Sequence, residues 1–260
     1  MNESPALPDL IALRTVATAA ARTAGAVLRE GADTLREVTY SDARDVKLRA
    51  DTTAEQLIRE RLAGATDIPL YGEELGGDAR LVEEGALLWV VDPLDGTFNY
   101  LRGLPICAVS IGLMRGTEPL LGVIYDFHHD VLLAGSTAEA LTANGQPIVP
   151  AWATSLDQAA LCTGFPAGLD RNAASLQRTL TLLAPYKKVR MVGSAAMALA
   201  MVAGGQADAY FEPSIRLWDV AAGLALVQAA GGVFEVGPSA SDKPLAYDVW
   251  AAARPEFILR

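Results

Sequence analysis

The run LLWVV at residues 87–91 constrains the fold most, because it is apolar at every position with no polar alternation. A strand of that kind is buried on both faces, so helices must cover the sheet on either side. The chain that surrounds it supplies them. Residues 7–30 read as one Ala-rich helix, with Leu10, Leu13, Val16, Ala17, Ala20, Ala24 and Val27 recurring at helical spacing. A second helix is expected from about Thr52 to Ala63, with Thr52 and Glu55 as a capping box and Gly64 as the stop. IPLY (68–71), AVSIGLM (108–114), LLGVIYDF (120–127) and VLLAGS (131–136) read as strands, the last three as an antiparallel meander. Asn144-Gly145 marks a tight turn. The two prolines of QPIVPAW (146–152) suggest a boundary, dividing residues 1–150 from 151–260. Beyond it strands and helices alternate: ALCTGF, a helix near 171–183, KVRM, a helix from Ser194 to about Ala203, ADAYFE, a helix after Asp219, and GGVFEV. The whole reads as an α/β protein of sheets packed with helices.

Charge and composition narrow the partners. With 31 Asp+Glu against 21 Lys+Arg the net charge is −10, which argues against nucleic acid. A small anion would also be repelled unless a bound cation reverses the sign locally. Two distant cysteines, Cys107 and Cys162, form neither a disulfide framework nor a zinc ribbon, and read as buried small hydrophobes in a reduced cytoplasmic protein. MNESPALPDL lacks the basic region of a secretory signal. Residues 191–207 are uncharged but interrupted by three glycines, as suits a buried helix and not a membrane span. The adjacent histidines of DFHHD (126–130) lie between two meander strands, where neighbouring side chains point apart, so a metal site there is not expected. Phosphate loops of the GxxxxGK[ST] type, dinucleotide fingerprints, HExxH and GxSxG are absent from the sequence.

The chemistry gathers after the buried strand, in DPLDGTFNY (92–100). Asp92 ends the strand, Pro93 fixes the backbone, and Asp95 follows two residues later. Gly96 permits close approach, and Thr97 is placed to open a helix whose first amides would face an anion. Two crowded carboxylates favour protonation unless a cation lies between them, and hard oxygen donors suit Mg²⁺. Glu73 and Glu74 follow the strand IPLY through Gly72, while Asp51 and Asp219 stand at the starts of helices. Taken singly, each of these is also explained as a helix-terminus or turn residue. Taken together, carboxylates at four element ends beside glycines point to one polynuclear metal site.

DPLDGTFNY, YGEELGG, RLWDVAAG and DVKLRAD strongly resemble, in order, motif blocks of the inositol monophosphatase family, with similarity over residues 45–235. The resemblance implies a five-layered α-β-α-β-α sandwich, a homodimer, and an Mg²⁺-dependent, lithium-sensitive phosphatase. It implies Glu73, Asp92, Asp95, Asp219 and the Leu94 carbonyl as ligands of two or three Mg²⁺ ions. Asp51 and Thr97 match the pair that orients and activates the attacking water, in concert with Glu73. Gly96 and Thr97 match phosphate-holding amides, Gly193, Ser194 and Ala195 a pocket-lining segment, and Glu212 the acid that bonds substrate hydroxyls, with Asp219 also at the substrate. The implied reaction is hydrolysis of a small polyol phosphate, foremost myo-inositol 1-phosphate. Histidinol phosphate, fructose 1,6-bisphosphate, 3′-phosphoadenosine 5′-phosphate and NADP(H) are the alternatives on the same scaffold, and a non-catalytic regulatory protein is the rival class. The chain departs from the family pattern at Lys47-Leu48, where Val-Thr is usual, at residues 37–41, which lack a loop lysine, and at Arg216.

Overall fold

The computed structural model describes residues 9–42, 46–165 and 172–259; Asp45 of the DVKLRAD block lies outside them. Helix α1 (Leu10–Glu30) starts at a cap, since the Asp9 carboxylate accepts the Ile11 and Ala12 amides at 3.1 Å. Although α1 is long and apolar enough to cross a membrane, its inner face of Leu13, Ala17, Ala20, Ala24 and Leu28 is buried in the main core. A single turn, α2 (Ala32–Leu35), and an antiparallel pair, β1 (Val38–Ser41) and β2 (Val46–Leu48), lead directly into α3 (Arg49–Ala63). The expected Thr52–Glu55 capping box is therefore corrected. The helix opens at Arg49, and Asp51 accepts the Leu48 amide at 2.6 Å. Glu55, fully buried, instead accepts the amides of Glu74 and Leu75 at 2.7 and 3.1 Å.

Next come β3 (Leu70–Gly72), α4 (Arg80–Glu83), β4 (Leu87–Asp95) and α5 (Thr97–Leu101). They are followed by β5 (Ala108–Arg115), β6 (Glu118–Asp126), β7 (Val131–Ser136), β8 (Glu139–Ala143) and β9 (Gln146–Pro147). These strands form a seven-stranded sheet in sequence order, with β3 parallel to β4 and the remainder the expected antiparallel meander. Asn144 and Gly145, with φ of 47° and 78°, make the β8–β9 turn.

The rest of the chain builds β10 (Ala160–Thr163), α6 (Ala173–Leu183), β11 (Lys188–Met191), α7 (Ala195–Ala203), β12 (Ala209–Arg216), α8 (Leu217–Ala229), β13 (Val233–Pro238) and β14 (Ala246–Ala252). The second sheet has the order β11-β10-β12-β14-β13. Strand β14, which the sequence reading had not identified, is antiparallel to both of its neighbours. Residues of α1 and α3 cover one face of the seven-stranded sheet, α7 and α8 fill the space between the sheets, and Leu183 of α6 joins the core on the outer face of the second sheet. This is the five-layered α-β-α-β-α sandwich.

The middle layer is seated on glycine. Gly112, Gly122 and Gly135 are register partners across β5, β6 and β7. A Cβ on Gly122 would lie 2.1 Å from the Ala222 carbonyl oxygen, and one on Gly112 or Gly135 would lie 2.8 or 2.7 Å from the Cβ of Ala221 or Ala229. Helix α8 thus rests on bare sheet backbone. On its opposite side a Cβ on Gly223 would meet Leu199 Cβ of α7 at 2.4 Å. Overpacking such a contact costs about 1–3 kcal/mol. Gly122→Ala is accordingly expected to lower the denaturation midpoint with the slope unchanged, in a urea titration followed by circular dichroism. A wild-type midpoint would contradict this seating.

Candidate active site

Two Asp residues reach the site by the same local device. At each of two points a strand runs without a loop into a helix, and the third helical residue is an Asp. Asp51 Oδ2 accepts the Leu48 amide at 2.6 Å, and Asp219 Oδ2 accepts the Arg216 amide at 3.2 Å. Asp219 is thus not the N-cap that the sequence alone suggested; the helix begins at Leu217. In both cases one carboxylate oxygen satisfies the helix start and the other remains for the site.

Because α8 lies across β4–β7, Asp219 meets the end of the buried strand. Glu73, Asp92 and Asp219 each offer a carboxylate oxygen within 4.8 Å of the others. Asp92 is buried, and Glu73 and Asp219 are half-buried. Asp92 Oδ1 accepts the Leu94 amide at 2.9 Å, where the β4–β5 register shifts between Asp92 and Asp95. Asp95 sits beside this trio with its carboxylate turned to the start of α7. It accepts the Ser194 hydroxyl, the Ala196 amide at 2.7 Å and the Ala195 amide at 3.3 Å. The Thr97 hydroxyl lies 2.9 Å from Asp51 Oδ1 and 3.0 Å from the Leu94 carbonyl oxygen. Its one proton can serve only one of them at a time.

Gly96 adopts φ 91°, and a Cβ there would lie 2.8 Å from the Ile106 carbonyl and 3.2 Å from Ser194 Cβ. The DPLDGT turn and the start of α7 are therefore pressed together. Asn99, buried in α5, adds a clamp by donating to the Ile106 and Val192 carbonyls at 2.7 and 2.8 Å. The sequence reading missed Asn99, although a polar residue buried within an aromatic stretch is a usable signal. A cleft of about 770 Å³ opens over these groups, lined by Glu73, Asp95, Gly96, Thr97, Gly193, Ser194, Ala195, Glu212 and Asp219. Lys47 and Arg216, two of the departures from the family pattern, line it too. Arg216 lies over the Trp218 ring, which stacks on Tyr71. The histidines of DFHHD stand elsewhere, with His129 Nδ1 2.7 Å from Asp126.

Burial and mutual repulsion hold the acids well above the usual carboxylate range. For Glu73 burial is the main cause, followed by Asp219 and Glu74, with Lys47 pulling the other way. Asp92 is raised by burial and then by Glu73, Asp95 and Asp219. Burial and Asp95 push Asp219 to about 7. Burial takes Asp51 to about 7 against its bonds to Leu48 and Thr97, and Asp95 to about 6 against the Ser194 hydroxyl and the α7 amides. Burial, then Asp219 and Asp95, bring Glu212 to about 8. Oxygen-only donors that repel one another fit a hard divalent cation, and among them Glu73, Asp92 and Asp219 would hold it.

Layered sheets, a carboxylate cluster fit for a metal, and a polar cleft beside it form a metal-dependent active site, and the match to the inositol monophosphatase family makes it that of a phosphate monoester hydrolase. The chain belongs to the inositol monophosphatase family, whose model matches residues 9–255. It is 41% identical over 216 residues to a Nus factor SuhB of Xylella fastidiosa, covering 82% of this chain and 78% of that one. It is 34% identical over 223 residues to a fructose-1,6-bisphosphatase/inositol-1-monophosphatase of Aquifex aeolicus, covering 84% and 83%. Among solved structures it is similar to an inositol monophosphatase from Anabaena (Nostoc), with TM-score 0.80, 32% identity, and coverage of 96% and 94%.

A pH dependence follows for the metal-free protein. An acid whose pKa is raised on folding is bound to more protons in the folded state, so its contribution is complete below the unfolded value near 4. That contribution is lost as pH rises toward the folded values, which for Asp95, Asp51, Asp219 and Glu212 run from about 6 to about 8. In chelator the melting temperature should therefore fall between pH 5 and 8, and divalent cation should restore it at pH 8. Melting curves in chelator that do not move across this window would contradict the electrostatics.

Proposed function

We propose that this enzyme is an Mg²⁺-dependent, lithium-sensitive phosphatase of small polyol phosphates, foremost myo-inositol 1-phosphate. The observation that carries the reading is that Glu73 and Asp219, clustered with Asp92, line the same cleft as Thr97, whose hydroxyl lies 2.9 Å from Asp51. The FNY that follows DPLDGT resembles the inositol phosphate members more than the nucleotide-bisphosphate ones, and Glu212 on the cleft wall offers an acid to substrate hydroxyls.

Mg²⁺ held by Glu73, Asp92 and Asp219, with Asp95 and the Leu94 carbonyl as further donors, would supply Lewis-acid neutralisation of the phosphate and acidify the attacking water. The chain's own groups handle the proton. Thr97 Oγ1 accepts a proton from the water while its own passes to Asp51 Oδ1, 2.9 Å away. With a pKa of about 7, Asp51 is poised as a base near neutral pH. Its other oxygen is fixed by the Leu48 amide, so the receiving oxygen faces Thr97. Gly96 and Thr97 line the cleft, and the family resemblance gives their backbone amides to the phosphate. Glu212, raised in the metal-free protein by burial and by Asp219 and Asp95, lines the cleft where it can hydrogen-bond substrate hydroxyls.

We further place the enzyme in the cytoplasm as a homodimer. The family resemblance supports the homodimer, and the cysteine usage supports the compartment. Two buried free thiols, pushed by burial to about 12 and about 11, suit a reducing compartment.

Asp92→Asn and Asp219→Asn should abolish phosphate release from inositol 1-phosphate with circular dichroism unchanged. Thr97→Val should lower kcat by about 10²–10⁴ while leaving Mg²⁺ binding in place. A phosphate-release panel over the alternative substrates decides among them, and a preference for any of them over inositol 1-phosphate would overturn the polyol assignment.

A further inference from the structure

The acidic cluster contains a cation of its own. On strand β2 Leu48 is wholly buried and Val46 packs on the main core, and Val46 and Lys47 both line the cleft. Its Nζ is 2.7 Å from Glu74 Oε1, and the Glu74 side chain is only 7% exposed. The restraint continues inward. The Glu74 amide is held at 2.7 Å by Glu55 Oε2, and the other oxygen of Glu55 is gripped by Arg59 Nε at 2.8 Å. Buried Glu55 thereby fixes the turn that carries both Glu73 and Glu74. The ammonium is consequently held by the residue that follows Glu73, and Lys47 and Glu73 line the same cleft.

We propose that Lys47 occupies, as a resident monovalent cation, the Glu73 side of the cluster, and so limits this site to two divalent ions. The proposal rests on the metal-dependent reading above. A fixed positive charge repels a divalent ion twice as strongly as a monovalent one at the same distance, and an ammonium clamped by a buried carboxylate cannot swing away. An ion bound through Glu73 alone would find the neighbouring Glu74 already neutralised by Lys47, leaving one carboxylate to hold it. Ions shared with Asp92 and Asp219 would have several.

The test counts ions without substrate or turnover. Mn²⁺ is titrated into chelator-stripped protein and the unbound ion is read by electron paramagnetic resonance. Wild type should bind two Mn²⁺ per chain. Lys47→Met, folded by circular dichroism, should bind a third or hold its weaker ion about tenfold or more tightly. Lys47→Arg, which keeps the charge, should match wild type. Three ions in wild type, or an unaltered titration in Lys47→Met, would overturn the proposal, and the wild-type count decides even if the Met variant does not fold. Lower melting temperature in Lys47→Met with the same titration would assign the pair to fold stability alone and overturn it too. If wild type binds no Mn²⁺, or Asp92→Asn leaves binding intact, the metal-dependent reading itself fails.

Discussion

Helix α8 lying directly on the backbone of three strands is the contact on which this active site depends. Asp219 is the third residue of that helix, and Asp92 stands in β4 beneath it, where the pairing with β5 shifts register. The distance between their carboxylates is set by how closely the helix sits, which the row of Gly112, Gly122 and Gly135 allows. A larger side chain at any of these would lift the helix, and with it one wall of the cluster. Packing between layers is therefore also the geometry of the reaction centre.

The second organising fact is electrostatic. Glu73, Asp92 and Asp219 lie too close to ionise together at low cost. Each carboxylate that flanks them is steadied by a local donor: Asp51 by Leu48, Asp95 by Ser194 and the α7 amides, and Asp92 itself by Leu94. The charges cannot relax by swinging apart. The remaining repulsion is relieved by proton uptake or by a cation. This couples folding, metal and acidity in one small volume.

Much of this was legible in the sequence because it is written in contiguous strings. LLWVV followed by DPLDGT puts a buried strand, a turn and three site groups into a dozen residues, and the meander shows itself by its turns. What escaped depends on partners far along the chain. The start of α3 was misplaced because Thr52 and Glu55 have the spacing of a capping box, whereas Glu55 is committed to the amides of Glu74 and Leu75. Strand β14 has weak alternation and is defined by its two neighbours. The glycine row means nothing until three strands are in register under a helix. Lys47 was visible only as a departure from a family pattern; its meaning came from where Glu74 lies.

The pair of Arg59 and Glu55 carries a consequence for variation in this chain. Arg59 is one turn along α3 from Glu55 and reaches the Gly76 carbonyl as well. It is absent from the residues lining the catalytic cleft. Yet losing its guanidinium would leave an uncompensated carboxylate under the turn that presents Glu73. Damage there would surface as poor metal retention in a chain whose cleft residues were all intact, so an inactive natural variant need not carry a change that any inspection of the cleft would reveal.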